Sequence, residues 1–175
     1  MVGSAIVKQD YDAEDFDYRK IQSNDYTQLN KVTTGKYLLS TKGLNSLYDA
    51  NPFTEVRFDC KKPYHKRRLH LKTNTTDVLL WLLQRRSEDP KPPSCNTFTT
   101  LEGDNSYLGG DCQRWYRGKW GEHEVYHLPI WGFTFHPPLA YDLSLNYTKF
   151  NGLLCDDGKG HQNFRNIGYW SYYVR

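Results

Sequence analysis

The sequence lacks any long apolar stretch. The longest, Val78 to Leu83, is far shorter than the roughly 20 residues that a membrane-spanning helix needs. Hydrophobic residues make up only 38% of the chain and methionine occurs once, which argues against a helical bundle. The GxSxG, GxGxxG and P-loop motifs are absent, so the sequence carries none of these common enzyme and nucleotide-binding signatures.

Four cysteines are present, and no pair has the CxxC spacing of zinc ribbons and redox motifs. Their even number is typical of a disulfide framework in a secreted protein. Of the three possible pairings, we expect Cys95–Cys112 to close a short loop and Cys60–Cys155 to tie an early strand to a late one. The alternative is a cytosolic protein with four reduced, buried thiols.

Two N-glycosylation sequons, at Asn74 and Asn146, agree with a secreted, extracellular glycoprotein. We expect no membrane span, because no apolar run is long enough. A secreted protein has little access to DNA or RNA, so we also expect no nucleic-acid partner.

Residues 1–30 are predicted to be an acidic, partly ordered N-terminal arm, and residues 31–175 a single disulfide-stapled β domain. Residues 54–60 and 67–73 alternate apolar with polar side chains, as half-buried strands do. The C-terminal segment IGYWSYYVR is also strand-like. The pattern predicts an all-β, single-domain antiparallel β-sandwich stapled by two disulfides, with a lipocalin-like β-barrel as the alternative.

Two segments have ambiguous patterns. The run VLLWLLQRR (residues 78–86) is interpreted as a central strand, because it is short and apolar throughout. The segment GLNSLYDANPF (residues 43–53) is interpreted as a turn-rich link that Asn51-Pro52 interrupts.

The segment HEVYH matches the HExxH zinc motif through His123, Glu124 and His127. That chemistry needs a helix, but Gly121 and Pro129 leave room for about two turns at most. In a strand the two histidines would be about 13 Å apart and could not share a metal. We therefore keep a zinc site as the alternative and assign no metal.

A basic cluster lies in and around the loop between the two predicted strands. Such a loop can bind sulfated or phosphorylated polyanions, whose counterions it releases. The alternative is a solvated hairpin whose charges prevent edge-to-edge pairing. The predicted polyanion-binding residues are Lys61, Lys62, Lys66, Arg67 and Arg68, within a cluster that also includes Arg57, His65, His70 and Lys72.

Aromatic residues accompany glycine-rich segments later in the chain. An exposed indole or phenol ring stacks on the apolar face of a sugar, while acidic and amide groups bind its hydroxyls. The alternative is that these rings fill the core under long loops. The predicted ligand-binding residues are Trp115, Tyr116, Trp120, Trp131, Asp156, Asp157 and Asn163.

The sequence predicts a secreted, lectin-like recognition module that binds carbohydrate, with acidic or sulfated glycans as a favoured class. No catalytic residue and no cofactor are assigned; calcium is a weak expectation from Asp104, Asn105, Asp111, Asp156 and Asp157. One alternative is a secreted enzyme, either a zinc hydrolase that uses HEVYH or a metal-free enzyme with an aromatic pocket. The other is a structural or interaction protein of an extracellular matrix.

Overall fold

The structure is a computed structural model. It describes residues 4–11, 22–31, 37–62, 66–86, 91–115, 118–120, 133–135, 155–158 and 168–175. In chain order the elements are β1 (Ser4–Tyr11), β2 (Gln22–Ser23), a 3-10 helix (Tyr26–Lys31), β3 (Tyr37–Leu39), α1 (Thr41–Ala50), β4 (Val56–Lys62), β5 (Arg67–Thr73), α2 (Thr76–Leu82), β6 (Thr99–Thr100), α3 (Tyr107–Gly110), a second 3-10 helix (Cys112–Arg114), β7 (Phe133–Phe135), β8 (Cys155–Gly158) and β9 (Gly168–Val174).

Seven strands form one sheet in the order β2-β3-β1-β9-β4-β5-β6. Its centre is four longer antiparallel strands, β1, β9, β4 and β5, while the flanking strands are short and β2 pairs with β3 in parallel. A separate two-stranded ribbon, β7 with β8, contacts β4 and β5 through β8. None of the helices among the described residues is both long and apolar enough to cross a bilayer.

The two ends of the chain meet in the middle of the sheet. Strand β1 pairs along its length with β9, from Ser4 opposite Val174 to Tyr11 opposite Gly168. The segment that the sequence assigned to an N-terminal arm therefore contributes β1 and β2 to the sheet, and its residues 12–21 lie outside the described residues.

Strands β4, β5 and β9 confirm the alternation in the sequence. Phe58 and Cys60 of β4, Leu71 of β5 and Tyr172 of β9 are fully buried, and they belong to one continuous core. The intervening residues of β4 form the opposite, polar face of the sheet. A period-two pattern with one apolar side is therefore sufficient to place these strands.

Helix α1 corrects the interpretation of residues 43–53 as a turn-rich link. The hydroxyl of Ser40 caps the helix by accepting a hydrogen bond from the Gly43 backbone N–H at 3.0 Å. Gly43 allows α1 to approach β3 closely, because a Cβ there would lie 2.6 Å from the Cδ1 atom of Leu39. Leu44 and Leu47, three residues apart on one face, enter the core.

Helix α2 corrects the prediction of a central strand over residues 78–86. Its residues Val78, Leu79, Trp81 and Leu82 are all buried, and its exposed polar residues, Thr76 and Asp77, lie only in the first turn. After that turn the helix shows no periodic polar stripe, and its sequence resembles that of a buried strand.

The fold is therefore mixed rather than all-β. The predicted antiparallel strands are confirmed, but the core beneath the sheet is formed with α1 and α2 where a sandwich would have a second sheet of similar size. The lipocalin-like alternative is not supported either, since the sheet in the described residues runs from β2 to β6 without closing.

One predicted disulfide, Cys95–Cys112, is present with a Cα–Cα distance of 5.1 Å. Cys60 is also disulfide-bonded. The side chain of Cys155 lies outside the described residues, so the Cys60–Cys155 pair stays a prediction.

Candidate functional site

The polar face of the sheet is where charged side chains from neighbouring strands meet. In β4 the residues Arg57, Asp59 and Lys61 alternate with buried apolar residues and point to this face. The antiparallel register pairs these positions across the strands: Arg57 with Lys72 and Tyr173, Asp59 with His70 and Ser171, and Lys61 with Arg68. These residues, with Glu55 and Arg175 at the end of the sheet, are called the polar face below.

The centre of the polar face holds an ion pair between Arg68 and Asp59. Arg68 donates from Nε and Nη2 to the two carboxylate oxygens at 2.8 and 2.7 Å, and Asp59 is only 13% exposed. Burial raises the pKa of the Asp59 carboxyl, but the hydrogen bond and charge of Arg68 outweigh burial and hold this pKa below its usual value. Both oxygens of Asp59 are thus engaged by a neighbouring cation.

His70 is a buried histidine whose ring nitrogens have different partners. Its Nε2 accepts a hydrogen bond from Nε of Arg57 at 2.7 Å; since arginine can only donate, this nitrogen carries no proton. Its Nδ1 lies 2.8 Å from the Glu102 carbonyl oxygen, which can only accept, so Nδ1 carries the proton. The ring is therefore neutral.

The surroundings of His70 favour that neutral form. Burial lowers the pKa of His70, and the positive charges of Arg68 and Arg57 lower it further. The hydrogen bond to Glu102 and the charge of Asp59 act in the opposite direction but do not offset the decrease in pKa.

The loop after β6 continues the sheet edge beside β5. The carboxylate of Asp104 accepts a hydrogen bond from the His70 backbone N–H at 2.6 Å. Asn105 accepts from the Arg68 backbone N–H at 2.6 Å and donates to the Lys66 carbonyl at 3.0 Å. Asp104 and Asn105, which the sequence suggested as calcium ligands, are therefore used to hold β5 in place.

Glu55 neutralises the other end of the polar face. Its Oε2 atom accepts from Nζ of Lys72 at 2.8 Å and lies 3.4 Å from Nη2 of Arg175. Like Asp59, this carboxylate is largely buried and already bound to cations.

The hairpin end comprises Lys61, Lys66, Arg67 and Tyr107. Lys61 and Lys66 are exposed, and within the described part of the chain neither ammonium group forms an ion pair or a hydrogen bond. The guanidinium of Arg67 lies over the ring of Tyr107, 4.9 Å from its centre. Tyr107 is 53% exposed, the most of any large apolar or aromatic residue described.

The structure separates the predicted polyanion-binding residues into two groups. Lys61, Lys66 and Arg67 are at the hairpin end, where Arg67 contacts Tyr107 and, by the strand register, points to the other side of the sheet from Lys61. Arg68 is bound to Asp59 in the polar face. The side chain of Lys62 lies outside the described residues.

The predicted sugar-stacking residues Trp115 and Trp120 are core residues. Both are buried, and their indole N–H groups donate at 2.9 Å to the Leu108 carbonyl and at 2.8 Å to Oγ1 of Thr97. Neither indole face is open to a ligand, so the interpretation that they fill the core was the correct one of the two. Tyr116, Trp131 and Asn163 lie outside the described residues, as do the side chains of Asp156 and Asp157 in β8.

The HEVYH segment also lies outside the described residues, so the alternative with His123, Glu124 and His127 is untested. In the part of the chain that is described, no three His, Cys, Asp or Glu side chains lie close enough to hold a metal ion. Of the two sequons, Asn74 is exposed just before α2, and Asn146 is not described.

Comparison of the chain with protein-family models, curated proteins and solved structures found no match. The function must therefore be argued from the residues themselves. Sequence reasoning assigned no role to Tyr107 or Tyr173, and it placed Arg57 and His70 in a basic cluster without seeing their contact. The alternation in β4 and β5 puts both residues on the polar face, but their contact follows only from the strand register.

Proposed function

We propose that this chain is an extracellular recognition domain that binds acidic, sulfated glycans through the polar face and the hairpin end. The observation that carries the proposal is the pair of exposed, unpaired ammonium groups of Lys61 and Lys66 within the described residues. They adjoin a face whose carboxylates, Asp59 and Glu55, are already buried against cations. A polyanion at this surface would therefore meet the ammonium groups of Lys61 and Lys66 beside two carboxylates that are already bound to cations.

The charge on this surface is unbalanced. Its described cations are Arg57, Lys61, Lys66, Arg68, Lys72 and Arg175, and its described carboxylates are Glu55, Asp59 and Asp104. Clustered cations attract a polyanion and release its condensed counterions, so binding of this kind weakens steeply as salt rises.

Tyr107 supports a glycan rather than a polyanion without sugar rings. Its exposed ring can stack on the apolar C–H face of a sugar, while the adjacent Arg67 guanidinium binds a sulfate group. The disulfide Cys95–Cys112 supports an extracellular location, because disulfides persist mainly in oxidising compartments.

The test is retention on an immobilised sulfated polysaccharide in a salt gradient. The double variant Lys61→Gln/Lys66→Gln is expected to elute at lower salt than the wild type, with the slope of log affinity against log salt reduced by roughly one per lost contact. The matched control is Lys42→Gln, which removes the same charge from an exposed position on α1 and should elute with the wild type. Equal elution of all three proteins would contradict the proposal.

A second pair of variants separates glycan from bare polyanion. Tyr107→Ala removes the stacking ring and is expected to weaken binding to a sulfated oligosaccharide by about tenfold, as for the loss of one aromatic contact. Tyr107→Phe keeps the ring and should bind like the wild type. If a sugar-free polyanion such as polyphosphate competes equally well and Tyr107→Ala has no effect, the surface is a general polyanion site and not a glycan site.

A further inference from the structure

The guanidinium of Arg57 is held in one orientation by two rings. Its Nε donates to the unprotonated Nε2 of His70 at 2.7 Å, and its central carbon lies 5.1 Å from the centre of the Tyr173 ring. An arginine fixed before the ligand arrives loses less side-chain entropy on binding than a freely rotating one.

The outer edge of this guanidinium is available to a ligand. The Arg57 side chain is 40% exposed, and the contact that the described residues make with its terminal amino groups is a long one, 3.8 Å from Nη2 to Oδ2 of Asp59. That carboxylate is already bound at shorter distances by Arg68. Two parallel N–H groups on a planar fork match two oxygens of a tetrahedral oxoanion.

We propose that Arg57 is a proton-sensitive oxoanion site. Neutral His70 holds the Arg57 guanidinium in the orientation that binds one sulfate or phosphate group, and protonated His70 releases the guanidinium. The inference rests on the proposed function only for the source of the oxoanion, a sulfate ester of the glycan. Arg57 binds the ligand, and His70 is a positioning residue that does not touch it.

Proton sensitivity follows from the donor and acceptor roles. A protonated His70 carries a hydrogen on Nε2, so it can no longer accept from Nε of Arg57, and two N–H groups would face each other across 2.7 Å. The added positive charge also repels the guanidinium. The hydrogen bond that fixes Arg57 is lost, and the Arg57 guanidinium is no longer held toward the ligand.

The groups around His70 determine when this happens. Burial and the neighbouring guanidinium groups lower the pKa of His70, so the change lies below pH 6.5. The pKa of Asp59 is lowered from 3.8, so this carboxylate is ionised above that pH. The titratable or charged groups that face His70 are Arg57 and Asp59 from β4, Arg68 and Lys72 from β5, Tyr173 from β9 and Asp104 from the loop after β6.

The experiment is a titration of the full chain with inorganic sulfate, and separately with inorganic phosphate, followed by NMR. The reporters are the Nε–H signal of Arg57 and the ring nitrogens of His70. At about pH 7.5 the Arg57 signal is expected to shift saturably with sulfate. Sulfate affinity should fall about tenfold, equivalent to about 1.4 kcal/mol, once His70 is protonated. The pH midpoint of that fall should coincide with the midpoint seen at the His70 ring.

Two variants test whether His70 is the group that responds to pH and whether the effect is specific to Arg57. His70→Gln keeps a hydrogen-bond acceptor but cannot titrate, so its sulfate affinity should not change over the same pH range. Lys42→Gln removes the same charge from an exposed position on α1, outside the polar face and the hairpin end, and should leave sulfate binding at Arg57 within about twofold. If His70→Gln does not fold, the wild type alone tests the inference: the pH midpoint of sulfate affinity must coincide with the pH midpoint of the His70 ring.

A sulfate response at Arg57 that is absent, or that is independent of His70 ionisation, would overturn the inference. Preference for phosphate over sulfate would keep the site but change the source of its ligand. If sulfate binds at Arg57 while the sulfated polysaccharide is not retained in the salt gradient, the proposed function is wrong and the oxoanion site stands.

Discussion

Trp120 donates its indole N–H to the Oγ1 atom of Thr97 at 2.8 Å, inside the loop that the Cys95–Cys112 disulfide closes. Trp120 is fully buried and contacts rings from the sheet and from α2, namely Phe58 and Trp81. This bond therefore helps to join the disulfide loop to the core beneath the polar face. The loop that follows β6 on its way to α3 also carries Asp104 and Asn105, which hold β5 in place.

Thr97→Val is expected to lower the free energy of unfolding by about 1–3 kcal/mol. Valine has nearly the same shape, but it leaves the buried N–H of Trp120 without its acceptor. It also removes the hydroxyl that lies 2.8 Å from the carbonyl oxygens of Pro93 and Ser94. The matched control is Thr99→Val on the exposed edge strand β6, which should change stability by less than about 0.5 kcal/mol. Urea unfolding followed by far-UV circular dichroism measures both, and equal stabilities for the two variants would show that the hydrogen bond contributes little.

Proteolysis under non-reducing conditions is expected to give two cross-linked peptide pairs. One contains Cys95 with Cys112, as the structure shows, and the other contains Cys60 with Cys155. The second pair is expected because Cys60 is disulfide-bonded and β8, which begins at Cys155, contacts β4. Mass spectrometry identifies the linked peptides. A peptide in which Cys60 is joined to Cys60 of a second chain would show a covalent dimer instead.

Asp59→Asn should cost more stability than the same change at an exposed ion pair. The variant removes the charge that Arg68 binds through two short hydrogen bonds in a largely buried position, and a loss of about 2 kcal/mol is expected. Asp49→Asn removes the carboxylate that pairs with Arg85 at 2.6 Å, but Asp49 is 65% exposed, so less than about 1 kcal/mol is expected. Urea denaturation at neutral pH compares them, and similar losses would mean that burial adds nothing to the Asp59 pair.

The strands that carry the polar face were predictable because each has one apolar and one polar side. Strands β4 and β5 show this period of two directly in the sequence. Helix α2 was not predictable by the same rule, since Val78, Leu79, Trp81 and Leu82 are all buried and polar residues occur only in its first turn, without the stripe that identifies a helix. In α1 the residues Gly43 and Asn51 resemble turn residues, but one permits close contact with β3 and the other ends the helix.

The candidate site was predictable only where it is local in sequence. Lys61, Lys66 and Arg67 are close along the chain and formed a recognisable basic cluster. The contact of Arg67 with Tyr107 joins residues that are far apart in the sequence, and the contact of Arg57 with His70 depends on strand register. Periodicity gives the face on which a residue lies but not which distant loop approaches that face.

As the pH is lowered, His70 and Asp59 of the polar face are each expected to contribute a loss of stability. The pKa of His70 is lower in the folded chain than its ordinary value of 6.5, so the unfolded chain binds this proton more tightly. Its contribution to stability is present above pH 6.5 and is lost as the pH falls through the lowered value. The pKa of Asp59 is likewise lowered, from 3.8, so its contribution is present above that pH and is lost only in stronger acid.

The two contributions can be distinguished by comparing variants with the wild type as the pH is lowered. His70→Gln should remove the decline that begins near pH 6.5 and keep the one below 3.8, whereas Asp59→Asn should diminish the second decline and keep the first. Urea unfolding at each pH gives the free energies. If His70→Gln loses stability between neutral pH and pH 4 as steeply as the wild type does, His70 is not the group that titrates there. Its neutral hydrogen bond with Arg57 would then not be what acid disrupts.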